Sequence, residues 1–104
     1  MPTLRLLNWN VEWKRPAGPV GRLVGEVLRE IDPDVAVLTE TDGRYRDDGH
    51  VVHADADHGY PEKGERRKVT LWSRRPWRDV DPVGDAELPG GRFVAGRTET
   101  PIGD

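Results

Sequence analysis

Leu4-Arg5-Leu6-Leu7-Asn8-Trp9-Asn10-Val11-Glu12-Trp13 is an apolar run that turns polar at its end, and Val35-Ala36-Val37-Leu38-Thr39-Glu40-Thr41 repeats the plan about thirty residues later. Alternation in the first run puts Leu4, Leu6, Asn8, Asn10 and Glu12 on one side and Arg5, Leu7, Trp9, Val11 and Trp13 on the other, as in a strand. Because apolar residues occupy both sides early on, the pattern predicts a strand buried between layers. Its polar positions Asn8, Asn10 and Glu12 then share a face towards the C-terminal end. Val35-Ala36-Val37-Leu38, a short continuous apolar run, predicts a second strand covered on both faces.

What lies between the two runs fixes how they relate. After the breaker Arg15-Pro16-Ala17-Gly18-Pro19, apolar residues recur at Val20, Leu23, Val24, Val27, Leu28 and Ile31, at spacings of 3, 1, 3, 1 and 3. That is the stripe of an amphipathic helix about three turns long. Arg22, Glu26, Arg29 and Glu30 fall on the outer side. Gly21 and Gly25 each weaken such a helix by up to about 1 kcal/mol relative to Ala, so packing must hold it. It stops at Asp32-Pro33, since the residue before proline is pushed out of the helical region. Strand, helix, strand makes a βαβ unit, whose strands are parallel and end at the same edge of a sheet. Asn10 and Glu40 therefore emerge side by side if the strands are neighbours, at the edge where open α/β sheets place ligands.

Further on, residues 42–50 read as a loop, residues 51–53 as a short strand and residues 68–73 as a clearer one, with Val69, Leu71 and Ser73 on one face and Thr70 and Trp72 on the other. Residues 77–88 are weakly patterned and read as loop or irregular strand. Pro89-Gly90-Gly91 marks a turn, residues 92–98 a last strand, and residues 100–104 a turn that leaves a strand edge unpaired.

A chain of 104 residues allows one modest core. With 16 basic and 19 acidic residues the net charge is −3, so no global positive field holds a polyanion. The absence of Cys excludes disulfides, thiolate nucleophiles and zinc–thiolate sites, leaving carboxylates, amides and three His for chemistry and oxygen-ligated metals as the natural ions. The N-terminus shows no leader pattern and no apolar run approaches the roughly 20 residues that span a bilayer. The expectation is a cytoplasmic protein with no membrane segment.

An Asn at a strand end is ordinarily a turn former, and a Glu there a solvated carboxylate. Their joint position gives them another meaning, because a carboxylate oxygen and an amide oxygen at one edge can hold a hard divalent cation with sites left for water and substrate. Two further features invite a ligand. In His53-Ala54-Asp55-Ala56-Asp57-His58, alternation would put His53, Asp55 and Asp57 on one face. Arg66-Arg67-Lys68 and Arg74-Arg75, near Trp72 and Trp77, offer phosphate contacts or base stacking. A solvated strand end and a charged loop are the plainer readings of these two.

Leu7-Asn8-Trp9-Asn10-Val11-Glu12, the approach Ile31-Asp32-Pro33-Asp34-Val35, then Val37-Leu38-Thr39-Glu40-Thr41 and Val69-Thr70-Leu71-Trp72-Ser73-Arg74 together resemble, in order and spacing, successive motifs of the endonuclease/exonuclease/phosphatase superfamily, the deoxyribonuclease-I-like fold. The resemblance implies an α/β protein, a two-sheet sandwich that hydrolyses phosphoesters with Mg²⁺ or Mn²⁺. It implies that Glu40 binds the metal, that Asn10 orients the phosphate and metal-bound groups, and that Glu12, where many members carry Asp or Asn, has a neighbouring polar role. Asp42 stands where some nucleases have a basic residue, which disfavours a nucleic-acid substrate without selecting among nucleic acid, nucleotide and small phosphorylated molecule. The superfamily's later parts, a His after the next strand, an Asp-x-Asn motif and a terminal Asp-His pair, have no counterpart here. Sandwiches of this kind commonly take about 200 to 250 residues, so the chain is expected to be the N-terminal portion of one such domain, incomplete as a catalyst. The competing expectation is a noncatalytic binding module, a half-sandwich that self-associates or pairs with another chain through its exposed sheet edge.

Overall fold

β1 (Leu6–Asn10) and β2 (Val35–Asp42) lie parallel and adjacent, Leu6 opposite Val35 and Asn10 opposite Thr39, in a computed structural model that describes residues 2–14, 16–42, 48–54, 66–84, 87 and 91–104. The connection is the expected helix, α1 (Pro19–Ile31). Proline at its start needs no N–H partner there. Asp32 closes it in the left-handed region, its N–H returning to the Leu28 carbonyl at 3.0 Å, and Pro33 prevents continuation.

The helix rests on the sheet by a narrower line than its apolar stripe suggests. Gly21, Val24, Gly25 and Leu28 are buried, and Val24 and Leu28 pack with Val11 and Leu38 against the partly buried Leu7 and Trp9. Val20, Leu23, Val27 and Ile31, counted in the stripe from sequence, are exposed, Leu23 by 60%. The positions 21, 24, 25 and 28 form one i, i+3, i+4, i+7 line. The flank beside that line is left exposed.

β3 (His50–His53) and β4 (Arg66–Ser73) complete a four-stranded sheet of order β1-β2-β4-β3, with β4 antiparallel to both neighbours. Within the weakly patterned stretch, of which 85, 86 and 88 lie outside the described residues, Trp77–Asp81 form a strand, β5, which pairs with β6 (Ala95–Thr98) in a separate two-stranded sheet. Its pattern is weak because the pairing shifts register between Arg78 and Asp81, where Asp79 takes a φ of 52°. The Ser73 and Thr98 hydroxyls, 2.8 Å apart, join the two sheets. The result is a mixed α/β protein opening with a βαβ unit, consistent with part of a two-sheet sandwich.

Two expectations change. The first strand is shorter than the alternation implied: it ends at Asn10, so Glu12 does not continue the face of Asn8 and Asn10. β1 is also covered on one side only. Leu7 and Trp9 are half-buried on the helix side, whereas Leu6, Asn8 and Asn10 are exposed, Leu6 by 63%. β2 shows the same bias, with Ala36 and Leu38 buried and Val35, Val37 and Thr39 half-buried. Among the described residues α1 covers the sheet from one side, and no second layer lies over the other face of β1. Of the loop expected over residues 42–50, Asp42 extends β2, His50 begins β3, and 43–47 lie outside the described residues, as do 88–90 of the turn before Gly91. No described helix is long and apolar enough to cross a membrane.

Candidate functional site

At the C-terminal end of β1 the chain turns sharply. Asn10 Oδ1 accepts the Glu12 backbone N–H at 2.9 Å, the local bond by which an Asx side chain replaces a backbone turn. Lys14 N–H closes the turn on the Val11 carbonyl at 3.1 Å, with Glu12 and Trp13 between them at φ values of 51° and 63°. The turn is fastened to the end of β2: Val11 N–H donates to the Thr39 carbonyl at 3.0 Å, and Trp13 N–H to the Glu40 carbonyl at 2.6 Å. Glu40 itself has a φ of 48°. Three non-glycine residues in the left-handed region thus meet at one spot, each a conformation that costs energy and that persists where surrounding structure enforces it.

The strand ends carrying Asn10 and Glu40 are therefore brought together, but their side chains have different partners. Asn10 and Glu40 share no hydrogen bond or ion pair among the described residues; the Asn10 carbonyl oxygen is used by Glu12. The Glu40 carboxylate lies 3.7 Å from Lys68 Nζ, with the two side chains 32% and 17% exposed. The Lys68 ammonium also stands 5.3 Å from the centroid of the Trp13 ring, a cation–π distance. Glu12 contributes its backbone N–H to the turn, and the residue is exposed. In the sequence Lys68 stands out only as the last of the basic run Arg66-Arg67-Lys68, opening the strand expected over residues 68–73, and nothing there links it to Glu40. The signal was its place opposite Glu40 once β2 and β4 pair.

A second polar cluster sits at the other end of the sheet. Arg5 N–H donates to Asp34 Oδ2 at 2.8 Å, and Arg74 Nε donates to Asp34 Oδ1 at 3.1 Å. The other arm of Arg74 reaches the Asp32 carbonyl at 2.6 Å and the Asp32 carboxylate at 2.9 Å. These bonds hold the Asp34 carboxyl below the usual carboxylate range, the Arg5 N–H contributing most, and raise Arg74 above the ordinary arginine value through Asp32 first. Arg74 is accordingly a clamp between β4 and the start of β2. A cavity of about 220 Å³ opens beside it, lined by Asp34, Arg74, Arg75, Glu99, Thr100 and Pro101, two cations against two carboxylates.

The remaining candidates separate in the same way. His53 Nδ1 lies 2.9 Å from the Thr70 hydroxyl, while Asp55, Asp57 and His58 fall outside the described residues. Trp72 is 2% exposed and donates its indole N–H to the Asp48 carbonyl at 2.6 Å, so it cannot stack on a base. Trp77, half-buried, donates its own to the His50 carbonyl at 3.0 Å.

As a metal site the edge of β1 and β2 offers oxygen donors only, one carboxylate and one amide. No group of three or more His, Asp or Glu is placed to hold an ion among the described residues. That donor set suits Mg²⁺, which is bound by one or two carboxylates with water and substrate oxygens completing its shell. The sequence model of the Endonuclease/Exonuclease/phosphatase family matches residues 7–103, a span holding both strand ends, the Lys68 strand and the Arg74 clamp. No curated protein and no solved structure matches the chain significantly.

Proposed function

Because the chain belongs to the Endonuclease/Exonuclease/phosphatase family, we propose that it acts on phosphoesters with a divalent metal ion, Mg²⁺ or Mn²⁺, held by Glu40 with Asn10 beside it. The observation that carries this reading is the joining of the two strand ends through Trp13 N–H and the Glu40 carbonyl, with left-handed backbone at Glu12, Trp13 and Glu40. The ion, when bound, supplies Lewis-acid polarisation of a phosphoryl oxygen.

The chain's own residues then have distinct tasks. Asn10 has one lone pair of its Oδ1 committed to Glu12 N–H, which fixes the amide so that, among the described residues, its NH₂ group is left to donate to a phosphate oxygen and its second lone pair to meet a cation. Glu12 supports the site by holding Asn10 through that bond. Glu40, one-third exposed, keeps its carboxylate accessible to an ion while its carbonyl is anchored by Trp13. General-base chemistry falls to none of these three. The substrate class follows the phosphoester and extends over nucleic acid, nucleotide and small phosphorylated molecules.

Calorimetric titration with Mg²⁺ or Mn²⁺ tests the reading without asking the chain to complete hydrolysis by itself. Binding should be saturable, and its affinity should fall at least about 100-fold in Glu40→Ala, beyond the loss typical of outer-shell partners. Affinity unchanged in the variant contradicts it. A second reading, a noncatalytic module that self-associates or docks another chain, is favoured by the exposure of Leu6 on the edge strand β1. It requires no ion, so the same assay separates the two.

A further inference from the structure

The register of β2 on β4, with Thr39 facing Val69 and Thr41 facing Arg67, leaves Lys68 across from Glu40. Its side chain is only 17% exposed, and lysine is rarely that covered without groups to receive its charge. Here they include the Glu40 carboxylate at 3.7 Å and the Trp13 ring at 5.3 Å. Trp13 is in turn fixed to Glu40 by its backbone N–H, so carboxylate, ring and ammonium form one assembly. A cation is therefore built into the spot where the family reading puts a metal ion.

We propose that Lys68 is a resident counter-cation of the Glu40 carboxylate, which a divalent ion must displace or bind against, and which thereby sets the ion affinity of the site. The inference rests on Glu40 being the metal ligand. A carboxylate oxygen engaged by an ammonium is less available to a second cation, and a like charge within about 4 to 6 Å disfavours the incoming ion wherever it settles on the carboxylate. Both effects have the same sign. Removing the charge while keeping the aliphatic stem over Trp13 should tighten metal binding.

The test is Mn²⁺ titration, followed by the electron paramagnetic resonance signal of free Mn²⁺, on the full chain and on Lys68→Met, Lys68→Arg and Glu40→Gln. Lys68→Met should bind Mn²⁺ about fivefold more tightly, the worth of one partly exposed ion pair. Lys68→Arg, which keeps the charge, should stay near the parent, and Glu40→Gln should lose the site. If Lys68→Met binds no more tightly while Glu40→Gln still loses the ion, the role of Lys68 is overturned and Glu40 as ligand stands. If Glu40→Gln binds Mn²⁺ like the parent, Glu40 is not the ligand and the proposal falls with it. Lys68→Gln, which places an amide near the carboxylate, is read in the same way should Lys68→Met fail to give the parent's circular dichroism.

Discussion

Asp34 shows how much of this protein hangs on single side chains. Its carboxylate takes the Arg5 N–H and the Arg74 guanidinium, and its backbone N–H donates to the Arg5 carbonyl at 2.9 Å, so it ties β1, β2 and β4 together where the strands begin or end. Because its folded carboxyl lies below the ordinary value of 3.8, the folded chain binds fewer protons than the unfolded chain as pH falls past that value. The stabilisation is complete above the ordinary carboxylate range and is lost as pH drops through the folded value. Asp34→Asn should therefore be less stable than the parent at pH 7 and show a shallower loss of stability between about pH 5 and pH 2, measured by urea denaturation at stepped pH. Equal pH profiles would contradict the clamp. Ile31-Asp32-Pro33-Asp34-Val35 stands out in the sequence as a motif, but its partner does not. Arg74 stands forty positions away, and only the antiparallel register of β4 brings it there.

Glycines decide more at the level of elements than their helix propensity suggests. Gly25 is buried on the sheet-facing line of α1, yet a Cβ there meets only the Arg29 guanidinium at 3.5 Å, ordinary contact with a flexible side chain. Gly25→Ala should raise stability by about 0.5–1 kcal/mol. Gly49, just before β3, has a φ of 78°, and a Cβ would lie 2.6 Å from the buried Trp72 indole. Gly49→Ala should lower stability by about 1–3 kcal/mol through overpacking and backbone strain. Chemical denaturation of the two variants side by side checks both signs, and a shared sign would contradict this account of the packing. The helix and its stop at Asp32-Pro33 were legible from apolar spacing and from proline chemistry. Which part of the stripe is buried was not, because spacing alone does not say which side of it meets Val11 and Leu38.

At the scale of the molecule, the cover of β1 on one side only among the described residues explains both what could be read in advance and what could not. The parallel pair of β1 and β2 followed from the order strand, helix, strand, and it does bring the ends carrying Asn10 and Glu40 together. That Asn10 would turn its carbonyl oxygen to Glu12, and that Glu40 would meet Lys68, depended on the turn and on the β4 register, neither of which leaves a periodic trace. Likewise a continuous apolar run announces a buried strand without saying whether one face or two are covered. Membership of the Endonuclease/Exonuclease/phosphatase family joins these parts to phosphoester chemistry, and the proposed divalent ion at Glu40 can be sought by Mg²⁺ titration of ¹⁵N-labelled protein followed by amide chemical shifts. Saturable shifts centred on Val11, Glu12, Trp13, Glu40 and Thr41 that vanish in Glu40→Gln are expected; shifts that survive that substitution, or that centre on the Asp34 and Arg74 end of the sheet, would rule out an ion at Glu40.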